Sequence, residues 1–188
     1  MDTADRLIES TRELLWERGY VGTSPKAIQQ RSGAGQGSMY HHFGGKPDLA
    51  SAAINRTAAR MRAAVDAQLS GSGSAVERIT GYLRREREVL KGCPIGGLTQ
   101  DPEVMADDRL REPVEQTLTW VRDRLTDVLA EGRDAGEFVA DLDPATTAAT
   151  LLAVLQGGYV LARAARCAAP FDAAVDGALT LLSGRCVR

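Results

Sequence analysis

A chain of 188 residues, 44% of them apolar and with a net charge of −2, is long enough to bury a core and too close to neutral to bind nucleic acid over its whole surface. Its three cysteines, Cys93, Cys167 and Cys186, match no zinc or redox spacing, which counts against a disulfide framework and for a reducing cytoplasm. Charge is uneven: residues 1–62 carry nine Lys/Arg against six Asp/Glu, and the remainder fourteen against nineteen, so any nucleic-acid contact is expected near the N-terminus.

Apolar residues recur at three and four rather than at two, which predicts an all-α protein. The first residues lack the basic region and apolar core of a signal peptide. A first helix is predicted over Thr3–Arg18, with Thr3 as N-cap, Asp5 in the first turn, and Leu7, Ile8, Thr11, Leu14 and Leu15 as its apolar stripe. Gly19 ends it, and Tyr20 and Val21 are expected to fold back on the same core. A second, short helix opens at Thr23-Ser24-Pro25, capped by Thr23 or Ser24, turns Ala27 and Ile28 inward, and stops at Ser32-Gly33.

Residues 33–46, Gly-Ala-Gly-Gln-Gly-Ser-Met-Tyr-His-His-Phe-Gly-Gly-Lys, then form a third helix whose composition is not that of a stable helix. Gly35 and Gly37 bracket Gln36, so a partner can approach the backbone without meeting a Cβ. Met39 and Phe43, four apart, are expected to face the core. No acid lies between Glu17 and Asp48, whereas Arg18, Lys26, Arg31 and Lys46 do. An acid-free face carrying amide, hydroxyl and phenol groups suits contact with phosphates and base edges. Two short helices joined by a glycine-containing turn predict a helix-turn-helix whose second helix enters the major groove.

A fourth helix is predicted to start at Lys46-Pro47-Asp48 and to run through Leu49, Ala53, Ile54, Met61, Ala64, Val65 and Leu69 to the Gly71-Ser72-Gly73 break. Ser74-Ala75-Val76-Glu77 reads as a capping box opening a helix with Val76, Ile79, Leu83 and Leu90 on one face, interrupted by Gly92-Cys93-Pro94-Ile95-Gly96-Gly97. Val114, Leu118, Val121, Leu125 and Val128 form a heptad seam that ends near Gly132–Gly136. Pro144–Ala162 carries no charge and is long enough to cross a bilayer, but Thr146, Thr147, Thr150, Gln156, Gly157 and Gly158 favour a helix buried on most sides in a protein without a membrane segment. A last helix begins at Pro170. The two final helices are expected to form a homodimer contact centred on residues such as Leu155 and Leu179.

The run Gly22-Thr23-Ser24, Ile28, Gly33, then Gly37-Ser38-Met39-Tyr40-His41-His42-Phe43 and Lys46 resembles the DNA-binding head of the tetracycline-repressor (TetR) family of bacterial regulators over roughly the first 50 residues. Gly44-Gly45-Lys46 and Gly92-Cys93-Pro94-Ile95-Gly96 resemble the LmrA/YxaF-like branch, whose members repress multidrug-efflux and related genes. The resemblance implies a helix-turn-helix head over 1–46 and a helical effector-binding and dimerisation body over 47–188. It implies phosphate contacts from Tyr40, His42 and Lys46, aided by Thr23 and Ser24, and base-edge contacts from Gln36, Gly37 and Ser38. Gln36 stands where lysine is frequent, Gly35 replaces a serine cap, and Pro25 replaces a core aliphatic.

The expected function is that of a transcriptional repressor released from a palindromic double-stranded operator by a small hydrophobic effector. Met105, Leu118, Trp120, Val121 and Tyr159 are the candidate effector-pocket residues. Control of the same fold by a protein partner, or by thiol oxidation at Cys93, is the alternative. A helical-bundle enzyme is disfavoured, because no nucleophile–base pair, carboxylate–histidine helix motif or phosphate loop is present. Adjacent residues on a helix diverge by about 100°, so His41 and His42 are not expected to form a metal or catalytic pair. Neither a metal nor a cofactor is expected.

Overall fold

The structure is a computed structural model that describes residues 2–187. Its regular elements, among the described residues, are helical: α1 (Thr3–Arg18), α2 (Pro25–Ser32), α3 (Gln36–His42), α4 (Lys46–Leu69), α5 (Ala75–Arg84), α6 (Pro102–Ala106), α7 (Asp108–Asp134), α8 (Pro144–Ala165) and α9 (Ala169–Ser183), with two 3-10 turns between α5 and α6. The all-α class is as read from the sequence. The chain divides into two compact units, Met1–Met61 with Cys93–Leu118, and Arg62–Gly92 with Thr119–Arg188. Helices α4 and α7 each continue from one unit into the other, so compactness does not divide the chain at residue 46.

In the first unit α1, α2 and α3 close on a core of Leu7, Leu14, Ile28, Ala34, Met39 and Leu49, with Ile8, Ala27 and Phe43 packed against it. The cap of α1 is Asp2, which accepts from the Asp5 N–H at 2.7 Å, rather than Thr3. Ser24 caps α2, and Gly33 ends it in the left-handed region at φ 67°, where glycine carries no Cβ penalty. Pro113 sits inside α7 and offers no N–H to the carbonyl of Arg109, one turn earlier. The Ser51 hydroxyl of α4 donates to that carbonyl at 3.4 Å. Neither α6 nor the 3-10 turn Gly96–Gln100 is among the elements expected from the sequence.

In the second unit the predicted capping box is present: Ser74 Oγ accepts from Glu77 N, and the Glu77 carboxylate accepts from Ser74 N. Glu137, from the segment after α7, accepts from the N–H groups of Ala75 and Val76, so α5 starts with its free donors satisfied. Contrary to expectation, α5 stops at Arg84, and Leu90 lies exposed in a separate 3-10 turn, Val89–Lys91. The side chain of Arg87 folds back to donate to the carbonyls of Tyr82 and Leu83, closing the C-terminal end of α5.

Helices α8 and α9 pack along each other. Gly158 is required there, because a Cβ would stand 2.9 Å from Phe171 Cδ2, and the neighbouring Tyr159 ring lies 4.8 Å from the Phe171 ring. The expectation that α8 is buried on most sides is corrected. Only 33% of its apolar window is buried, although the helix is long and apolar enough to cross a membrane. One face meets α9 and the 89–91 turn, while Val160 and Leu161 are exposed.

Candidate nucleic-acid interface

The first unit holds α3 by one deeply buried side chain. Met39 is fully buried and Phe43 half-buried, so the opposite face, carrying Gln36, Gly37, Tyr40 and His41, is turned outward. A Cβ built at Gly35 or Gly37 meets nothing within 4 Å. No contact inside the protein therefore demands glycine at either place, and the bare backbone is left open to whatever approaches from outside. Tyr40 is 51% exposed and His42 exposed, with its ring 5.0 Å from that of His41 in an edge-on arrangement; Ser38 is half-buried.

The cations of the acid-free run are not equivalent. Arg31 pairs with Glu17 at 2.8 Å and approaches Glu13 at 3.8 Å, and Arg18 lies 3.9 Å from Glu17. The acids of α1 thus neutralise both arginines. Lys26, in the first turn of α2, is exposed and makes no ion pair among the described residues. It belongs with the candidate contacts, and its place in the acid-free run was the available signal. Lys46 rests over the face of Tyr20, its Nζ 3.8 Å from the ring centroid. Burial, reinforced by the carboxylates of Glu103 and Asp107, pushes the Tyr20 phenol above its ordinary value, so the ring under Lys46 is neutral.

Two residues of the sequence-derived set lie differently from the rest. Thr23 is 1% exposed, and its hydroxyl donates to the Gly19 carbonyl at 2.6 Å, which commits it to the turn after α1. Ser24 is exposed, with its oxygen accepting from Ala27 N at 3.2 Å as the α2 cap. The turn holding Thr23 is itself pinned by a residue not singled out from sequence. Asp101, 8% exposed, accepts from Tyr20 N at 2.7 Å and Val21 N at 2.9 Å through Oδ2, and from Glu103 N and Val104 N through Oδ1 as the cap of α6. Nothing local in the sequence links two segments eighty residues apart.

A pair of short helices presenting an acid-free, partly backbone-lined face defines a helix-turn-helix DNA-binding protein. The profile of "Bacterial regulatory proteins, tetR family" matches residues 7–53, and that of "Tetracyclin repressor-like, C-terminal domain" matches residues 74–178. The chain belongs to the TetR family and is a DNA-binding transcriptional repressor. It is 30% identical over 145 residues to the transcriptional regulator AcuR of Cereibacter sphaeroides, covering 73% of this chain and 66% of that protein. To the regulator LmrA of Bacillus subtilis it is 29% identical over 118 residues, covering 59% and 62% respectively. The crystal structure of a TetR-family regulator from Cytophaga hutchinsonii superposes with a TM-score of 0.89 at 23% identity, over 99% of this chain and 96% of that one.

Proposed function

We propose that the chain acts as a cytoplasmic homodimer on a palindromic operator and is released from it by a small hydrophobic effector. Residues 1–46 serve DNA and residues 47–188 serve the effector and the dimer. The observation that carries the DNA assignment is the outward face of α3, where Gln36, Gly37 and Ser38 stand ready for base edges and Tyr40 and His42 for phosphates, joined by Ser24 and Lys26 at the start of α2 and Lys46 at the start of α4. Glutamine offers the donor–acceptor pair that reads adenine, and serine serves several bases. The burial of Thr23 supports a part in shaping the turn.

The dimer reading rests on the second unit. Along α8 and α9 runs a groove of about 660 Å³ whose walls include Leu151, Val154, Leu161, Leu181 and Leu182. Leu161 is 55% and Leu181 76% exposed, an apolar surface of the kind that a soluble chain covers with a partner. A second copy is the occupant that also supplies the symmetry of a palindromic site. Leu155 is 2% exposed, so it belongs to the protomer core and not to this surface.

The effector set divides between the units: Met105 and Leu118 fall in the first, and Trp120, Val121 and Tyr159 in the second. The proposal keeps the latter three as candidates for the wall of an effector site. To act as an inducer, the effector must bind the conformation that does not bind DNA more tightly, and a tenfold preference is worth about 1.4 kcal/mol. Cys93, the thiol considered for redox control, is 5% exposed, and its sulfur accepts from Gly96 N at 3.1 Å, which favours small-molecule control over thiol oxidation.

Footprinting of the purified chain on DNA flanking its own gene tests the reading. A protected inverted repeat that is lost on adding an organic effector, and retained under peroxide, is the expected result. Protection of a single half-site by a monomer would overturn the dimer, and loss under peroxide alone would overturn effector control.

A further inference from the structure

Where α5 ends, the second unit has an open pocket of about 470 Å³ between residues 83–89 and the first half of α9, a volume suited to a small organic ligand. Its wall combines Leu83, Phe171 and Val175 with Arg85 and Arg87. The guanidinium carbons of both arginines lie 5.3 Å from the centroid of the Tyr82 ring, and that of Arg87 lies 5.8 Å from the Phe171 ring. Two cations thus share one aromatic ring.

No carboxylate among the described residues forms an ion pair with either arginine. The acids at the pocket are Glu86, Asp172 and Asp176; all three are exposed, and Asp176 is engaged by Arg84 at 3.0 Å. The partners of Arg87 are the carbonyls of Tyr82, Leu83 and Arg85, which bring dipoles but no countercharge. Arg85 Nε is buried without an acceptor. Burial pushes Arg87 below its ordinary value; Tyr159 opposes this, and the charge of Arg85 adds to it. Like charges placed together, partly withdrawn from water and without a counter-ion, are unfavourable unless an anion joins them.

We propose that this pocket binds a monocarboxylate with a small apolar body, its carboxylate on Arg85 and Arg87 and its body against Leu83, Phe171 and Val175. A planar guanidinium suits a carboxylate through paired N–H donors. The acids at the rim disfavour a dianion such as a phosphate monoester. The proposal rests on the effector-controlled reading for its consequence, release of DNA, but not for the binding itself. It also gives that effector its class, an apolar body with one negative head. Tyr159, whose ring packs at a tilt against that of Phe171, links the site to the candidate wall named above.

Calorimetry on the intact protein decides between outcomes, with straight-chain carboxylates of increasing length, benzoate, the matching amides and inorganic phosphate as probes. At least one carboxylate should bind, with its neutral amide and phosphate at least tenfold weaker. Arg85→Gln should abolish that binding while keeping the melting temperature and the operator affinity measured without ligand, and Arg85→Lys should restore part of it. Arg87 is unsuited to the test because it closes α5. Equal binding of acid and amide, undiminished binding by Arg85→Gln, or no binding across the series would overturn the site. Arg85-dependent binding that leaves operator affinity unchanged would uphold the site and overturn effector control through it. Release of operator by an uncharged compound, together with no carboxylate binding, would do the reverse.

Discussion

Gly37 lies in the first turn of a seven-residue helix, where glycine is less favourable than alanine by up to about 1 kcal/mol, yet nothing inside the protein occupies the space of a Cβ. A residue that weakens its own element and has room to spare points to a demand from outside. Gly37→Ala should therefore raise thermal stability slightly and lower operator affinity by about tenfold or more, near 1.4 kcal/mol. Calorimetric melting and a DNA-binding titration on one preparation check both signs. Lys46 poses a different question, because its charge lies against the Tyr20 ring. If that contact aims the ammonium at a phosphate, Lys46→Ala should weaken binding to all sequences alike and reduce the slope of log affinity against log salt by about one per protomer. A salt titration of operator and random DNA measures it, and an unchanged slope would show that Lys46 meets no phosphate.

Between elements, the link of greatest consequence is Asp101, whose two oxygens are divided between the turn after α1 and the start of α6. Asparagine supplies one acceptor oxygen where aspartate supplies two. Asp101→Asn should hold the α6 cap and leave the Tyr20 and Val21 N–H groups unsatisfied, at about 1–3 kcal/mol. Because Tyr20 carries Lys46, the loss in operator affinity should be non-additive with Lys46→Ala in a double-mutant cycle; strict additivity would break the proposed connection. A second link clamps α1 to α4. Glu9 meets Arg60 at 2.8 Å and Arg56 at 3.3 Å; burial raises its carboxyl pKa, but hydrogen bonds from Arg60, Arg12 and Arg56 outweigh this and leave it below the ordinary carboxylate value. A carboxyl depressed on folding gives stability that is full above its unfolded value and disappears as pH falls through the folded one. Melting temperatures of the wild type and Glu9→Gln should accordingly differ most above the ordinary carboxylate range and converge as the pH falls below it.

The proposed dimer draws on α8 and α9, whose packing uses one face of each and leaves Leu161 and Leu181 outside. Arginine at Leu181 would be solvated in a monomer and buried without a counter-ion in a dimer. Leu181→Arg should thus give a folded monomer with greatly reduced operator affinity, seen by sedimentation and by circular dichroism. Leu155→Arg would test protomer folding instead, since that side chain is in the core. A folded, dimeric and DNA-binding Leu181→Arg protein would move the interface elsewhere.

Features that depend on residues close together in the chain were legible without the structure. The three-and-four periodicity set the helical class, the Ser74–Glu77 capping box and the prolines at residues 25, 47 and 144 marked helix starts, and the motif ending at Phe43 and Lys46 marked the family. The early stop of α5 escaped, because Val76, Ile79, Leu83 and Leu90 keep helical spacing while the terminator is a long side chain folding back from Arg87. Charge counting along the chain gave four cations near α3, but the acids of α1 reach across the fold and neutralise Arg31. Thr23 looked available because the exposure of a hydroxyl depends on the turn around it, here closed by Asp101 from eighty residues away. Local sequence determined the helical class, most helix starts and the family motif on α3, since capping and periodicity act within a turn or two. Only the tertiary structure decided which charges remain free, which apolar face of α8 is left uncovered and where two arginines flank one tyrosine ring without an ion-pair partner, because pairing and burial are settled by neighbours that the chain brings together only when folded.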